Sequence, residues 1–77
     1  MRITVIPEDR WIRRDQQAAY LPDWNFDDDN IHAIQWLDGS GEIEFKGDPR
    51  PANEPFTDQS ILEPYLNALD DYLQSTP

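Results

Sequence analysis

The apolar positions of this chain follow two different periods, and the change between them organises it. From Gly41 to Lys46 the side chains alternate, with Ile43 and Phe45 on one face and Glu42, Glu44 and Lys46 on the other. This is the period of a half-buried strand. Residues 31 to 38 form the strand before it, and Gly39-Ser40 reads as a two-residue loop with Gly at its first central position. In that register Asp38 pairs with Gly41, Trp36 falls opposite Ile43, and Ile34 falls opposite Phe45. The spacing predicts a hairpin over residues 31–46 with one continuous apolar face.

Upstream, residues 2 to 6 place Ile3 and Val5 on one face and Arg2, Thr4 and Ile6 on the other, a strand closed by Pro7. Trp11 to Arg14 reads as a second strand, paired antiparallel with the first through the turn Pro7-Glu8-Asp9-Arg10. Gln16 to Leu21 fits either an extended segment or a helical turn. Residues 22 to 30 are a loop by composition, and Gly47 to Phe56, with Pro49, Pro51 and Pro55, is an irregular crossing. From about residue 60 the period becomes helical: Ile61, Leu62, Tyr65, Leu66, Leu69, Tyr72 and Leu73 share a face. The helix start is ambiguous. Ser60 with Glu63 makes a capping box, which would begin the helix at Ile61, whereas Pro64 at the first helical position would leave 60–63 as a separate turn. Pro77 is expected to set the end near Ser75. The expected fold is α+β in a single small domain, residues 1–77. A small antiparallel sheet of three or four strands, with hairpin 31–46 at its centre, packs its Ile34, Trp36, Ile43 and Phe45 face on a C-terminal helix over about 61–75.

Composition narrows the function. With 77 residues the core is thin and a deep catalytic cleft is hard to build. The absence of cysteine removes disulfides and thiolate metal sites. No apolar run approaches the length that spans a bilayer, and the N-terminal stretch turns acidic too soon for a signal peptide. A soluble, cytoplasmic protein is expected. The net charge of −10 opposes phosphate backbones and anionic lipid surfaces, so neither direct nucleic-acid binding nor membrane binding is expected. Arg2, Arg10, Arg13 and Arg14 gather near the N-terminus, while Asp23, Asp27, Asp28, Asp29 and Asp38 occupy a stretch without a basic residue. Such asymmetry keeps a small protein soluble and could also steer a basic partner.

Candidate chemistry is sparse. Asp23, Asn25 and Asp27 match the opening of a calcium loop, but Asp28 stands where the sharp turn needs Gly and Ile34 where a bidentate Glu should close the site. That leaves no more than weak cation binding to Asp27, Asp28 and Asp29. His32 is the only histidine, and no Cys or elbow Ser accompanies it as a nucleophile. It reads as a structural side chain. Glu42 and Glu44 share one strand face, as a solvated face would have it, rather than facing each other across a cleft. No catalytic, cofactor-binding or metal-ligating residue is assigned, and the chain is not expected to be an enzyme. Trp24 and Phe26, set among Asp27, Asp28 and Asp29, are the candidate partner-binding residues, because aromatic side chains dominate interface hot spots. The same two rings could instead fold back to cap the core.

Ile3-Thr4-Val5-Ile6-Pro7-Glu8-Asp9, then Ile31-His32-Ala33-Ile34-Gln35-Trp36, Gly41-Glu42-Ile43-Glu44, and Asn53-Glu54 before a helix occur in an order that resembles a group of small acidic proteins encoded in tail-gene regions of tailed bacteriophages and prophages. Arg10 to Asn30 matches little, and Arg13-Arg14 and the Asp27 to Asp29 run depart from the pattern. The resemblance implies a role in tail or tail-fibre assembly by protein–protein interaction, as a minor tail component or small chaperone. The implied partner is a tail or tail-fibre protein, and the implied location is the host cytoplasm or the assembled virion. It supplies no catalytic residues. The charge suggests an alternative, an acidic inhibitor occupying a basic nucleic-acid-binding surface of a host defence protein. Open edge strands also leave room for a homodimer.

Overall fold

The computed structural model describes residues 1–75. Its strands are β1 (Arg2–Ile6), β2 (Trp11–Arg14), β3 (Gln17–Tyr20), β4 (Ile31–Leu37), β5 (Ser40–Phe45) and β6 (Glu54–Phe56), followed by the helix α1 (Glu63–Ser75). They form one six-stranded sheet in the order β3-β2-β1-β4-β5-β6, with every neighbouring pair antiparallel. The fold is α+β, as the periodicity predicts, but the sheet is wider than three or four strands. Gln17–Tyr20 resolves the segment left undecided between extended and helical, and Glu54–Phe56 adds an edge within the supposedly irregular crossing. Pro55 is tolerated there because an edge strand needs ladder bonds on one side only.

β1 and β2 pair as expected, with Val5 opposite Ile12 and Ile6 opposite Trp11. The turn between them is a short 3-10 segment over Pro7–Asp9, and Arg10 takes a left-handed conformation at φ 54° while its N–H bonds the Pro7 carbonyl. The expected register of the central hairpin is corrected. Its turn residues are Asp38 and Gly39, both at positive φ (48° and 103°), so that Leu37 pairs with Ser40, Trp36 with Gly41, and Ile34 with Ile43. Asp-Gly suits a tight turn with two left-handed positions, which matches the twist of the flanking strands better than Gly-Ser would. Gly41 therefore lies in the strand. A Cβ there would collide with the Gln35 carbonyl oxygen and the Phe56 ring. An irregularity between Ile31 and Ala33 then returns Ile31 opposite Phe45, so Ile31 shares a face with Ile34 despite the odd spacing.

The helix start resolves in favour of a separate turn. Asp58, not Ser60, is the cap: its carboxylate accepts from the Ser60 N–H at 3.0 Å and the Ser60 hydroxyl at 2.6 Å, opening a 3-10 turn over Gln59–Leu62. The α-helix begins at Glu63, and Pro64 in its first turn lacks an N–H that would have had no intrahelical partner. The proposed stop at Pro77 lies outside the described residues.

The core gathers on one face. Ile3, Val5, Ile12 and Ile34 from the sheet meet Leu62 and Leu69, and each of these side chains is fully buried. Burial of one such side chain contributes about 1.5–3 kcal/mol. The helix does not lie across hairpin 31–46 as expected. It packs nearest β2 and β3, where Arg14 reaches Asp70 at 2.7 Å, while Phe56 from β6 covers Trp36 with ring centroids 5.3 Å apart. Phe45 stays only half-buried.

Candidate functional site

Between β3 and β4, residues 21–30 carry the chain past β2 and β1, and this loop holds all five candidate partner-binding residues. Trp24 and Phe26 meet edge-on at 4.9 Å, and both lie against Tyr65 of α1, at 5.8 and 4.4 Å between centroids. Both rings are half-buried on the core. Asp28 is 3% exposed, and its carboxylate accepts the Tyr65 hydroxyl at 2.7 Å and the Trp24 indole N–H at 3.1 Å. The buried acceptor is thus satisfied by two donors, as a desolvated carboxylate requires. Burial first, and then the bond to Asp28, push the Tyr65 hydroxyl well above its ordinary pKa. Backbone bonds fasten both the loop and the strand entry: Ile31 N–H to the Asp28 carbonyl and Lys46 N–H to the Asn30 carbonyl, each at 2.9 Å. Asp28 therefore holds the loop to the helix rather than offering a contact, and Trp24 and Phe26 do so in part. Asp27 and Asp29 point outward.

The other acidic and polar candidates are dispersed. Asp23, Asn25 and Asp27 alternate along the exposed side of the loop. Among the described residues, no three His, Cys, Asp or Glu side chains converge as metal ligands. His32 is half-buried at the irregularity in β4. Glu42 lies opposite Gln35 and accepts from the Asn53 amide at 3.3 Å, while Glu44 lies opposite Ala33. These two carboxylates therefore stand on one sheet face rather than across a cleft.

That face is the feature the sequence reading missed. One row of directly opposed residues crosses all six strands: Ala18, Arg13, Thr4, Gln35, Glu42 and Pro55. Opposed residues share a face, and this one is the side away from the core. Neither the helix nor the loop covers the row. Tyr20 is 68% exposed and Leu37 50% exposed on it, and Trp11 packs beside Tyr20 at 6.4 Å. Across β1, β4, β5 and β6 the face dips into an open depression of about 750 Å³, bordered by Arg2, Thr4, Gln35, Leu37, Glu42 and Pro55. One signal was present in the sequence: Ile6 falls on the polar side of β1, opposite Trp11.

Charge divides between the layers. The loop over residues 21–30 and the segment over 57–75 contain eight carboxylates and no Lys or Arg, whereas all six Lys and Arg lie in the sheet and its turns. Among the described residues, the ion pair that joins the layers is Arg14 to Asp70 at 2.7 Å. It holds the Asp70 carboxyl below the usual carboxylate range, chiefly through its hydrogen bond.

Compared with known proteins, the chain matches no family model, no curated protein and no solved structure.

Proposed function

We propose that this chain works by protein–protein contact through the uncovered face of its sheet, in the phage or prophage tail setting that its motifs resemble, as a minor tail component or a tail-fibre assembly chaperone. The observation that supports contact is that the side of the six-stranded sheet away from the core exposes Tyr20 and Leu37 to solvent, with Trp11 half-buried beside Tyr20. Exposed aromatic and aliphatic side chains set among polar ones are what binding surfaces present. The tail setting is supported by the ordered motifs at residues 3–9, 31–36, 41–44 and 53–54.

A second reading is the acidic inhibitor. It is favoured by the helical layer, where carboxylates stand without a basic residue and could match a basic surface on a host defence protein. Affinity capture of the tagged chain from phage-producing cells, at low and high salt, separates the two. Recovery of a tail or fibre protein at both salts supports the first. A basic nucleic-acid-binding protein recovered only at low salt replaces it with the second.

A further inference from the structure

The uncovered face is complementary to itself. We infer that a second copy of this chain covers it, the two sheets packing face to face about a two-fold axis parallel to the strands and passing between β1 and β4. This inference rests on the proposed reading of that face as a contact surface, and it names the occupant.

The sheet order places three strands on each side of the β1/β4 boundary. Rotation about that axis exchanges β1 with β4, β2 with β5, and β3 with β6. Along the row that crosses the sheet, Arg13 then lies over Glu42 of the second copy, Thr4 over Gln35, and Ala18 over Pro55. A cation meets an anion, a hydroxyl meets an amide, and a small side chain meets a flat ring. Because the interface is two-fold, each match occurs twice.

The groups involved are available. Arg13 uses only its Nε, which donates to the Asp15 carbonyl at 2.7 Å, so its terminal amino groups remain. Glu42 accepts a long bond from Asn53 at 3.3 Å, and Thr4 donates to Gln35 at 3.0 Å within the face. Glu42 borders the open depression, which would receive Arg13 of the second copy.

Electrostatics selects this arrangement over others between two chains of charge −10. Apposed helical layers would bring together carboxylates with no basic residue among them. Apposed sheet faces bring Arg13 to Glu42 and keep the two acidic layers on the outside. Six strands about 4.8 Å apart and about 17 Å long give roughly 500 Å² per copy, so the pair buries roughly 1,000 Å², the lower limit for a specific interface. The dimer is therefore weak and depends on concentration, so that a tail or fibre protein binding the same face displaces the second copy.

Sedimentation equilibrium of the purified chain over micromolar to millimolar concentration tests it. Reversible dimerisation is expected, weakened at least tenfold by Arg13→Glu and by Glu42→Arg, each of which places like charges together. Mixing the two variants in equal amounts is expected to restore a heterodimer, since each then supplies the charge that the other lacks. That rescue also shows that both variants are folded. A wild-type chain that stays monomeric at millimolar concentration, or a dimer indifferent to both substitutions, overturns the inference. If tail-protein capture is kept by such a monomer, only the second copy is lost as occupant. If capture is also unaffected by Tyr20→Glu with Leu37→Glu, the reading of the face as a contact surface falls too.

Discussion

On the covered side of the sheet, Ile3, Val5, Ile12 and Ile34 are closed off by Leu62, Leu69 and a loop pinned through Asp28. On the opposite side the intervening residues of the same strands, Thr4, Arg13 and Gln35, stand in a row with nothing above them. Reach explains the difference. Six strands span about 29 Å across the sheet, whereas the 13-residue helix is about 20 Å long and about 10 Å wide. One helix, helped by an aromatic loop, closes one face and leaves none to spare. Stability is thus concentrated on one side, and the other side is free to serve contact.

Truncating each side should separate those roles most sharply. Leu69→Ala is expected to cost about 2–5 kcal/mol, a large part of the stability of a domain this small, whereas Tyr20→Ser on the open face should change it by no more than about 0.5 kcal/mol. Urea unfolding followed by tryptophan fluorescence measures both. Comparable losses would mean that the open face also holds the fold.

Gly41 lies where the hairpin backbone and the Phe56 ring leave no room. Gly41→Ala should cost about 1–3 kcal/mol in the same assay, because β4, β5 or Phe56 must shift. A neutral substitution would contradict the hairpin register.

The clamp on the covered side has its own signature. Asp28→Ala leaves the Tyr65 hydroxyl and the Trp24 N–H without their acceptor and should cost about 1–3 kcal/mol. Since folding raises the Tyr65 pKa, the unfolded chain loses that proton first. The associated stability is complete below the ordinary tyrosine value of about 10 and declines as pH rises from there towards the folded value. Tyr65→Phe should flatten that alkaline decline in a series of urea midpoints, and an unchanged slope would remove the hydroxyl from the account.

The smallest effect is expected where the two layers meet at the surface. Folding lowers the Asp70 pKa, so its contribution is present above the ordinary carboxylate range and lost as pH falls through the folded value. Asp70→Asn should reduce the acid sensitivity of the urea midpoint slightly, and Arg14→Gln should do the same. A lysine at position 14 should recover part of it.

Much of this fold was legible from local rules. Alternation at Ile3, Val5 and Ile43 marked strands, and Pro7 with its acidic neighbours marked the first turn. Spacing from Leu62 to Leu73 marked the helix. The hairpin register was misread because Asp38-Gly39 and Gly39-Ser40 are both good turn chemistry, and the crowding that requires Gly at position 41 comes from the Gln35 carbonyl and from Phe56, which is distant in sequence. β6 was hidden by Pro55, which an edge strand tolerates, and by Pro49 and Pro51 before it. The helix was placed over the wrong hairpin because periodicity gives a face but not the surface it meets. Of the candidate site, the aromatic loop was visible but its direction was not, since Tyr65 and Asp28 meet across 37 positions of chain. The open face showed in the sequence only at Ile6, and its extent did not, because β3 was left undecided and β6 was not read as a strand.

Capture of tail proteins by two matched variants tests the division between the faces most directly. One carries Tyr20→Glu with Leu37→Glu on the open face, and the other carries Asp27→Asn with Asp29→Asn on the loop, both held to the wild-type urea midpoint. The account predicts that a tail or fibre protein is lost from the first capture and kept in the second; retention by the first and loss from the second would contradict it.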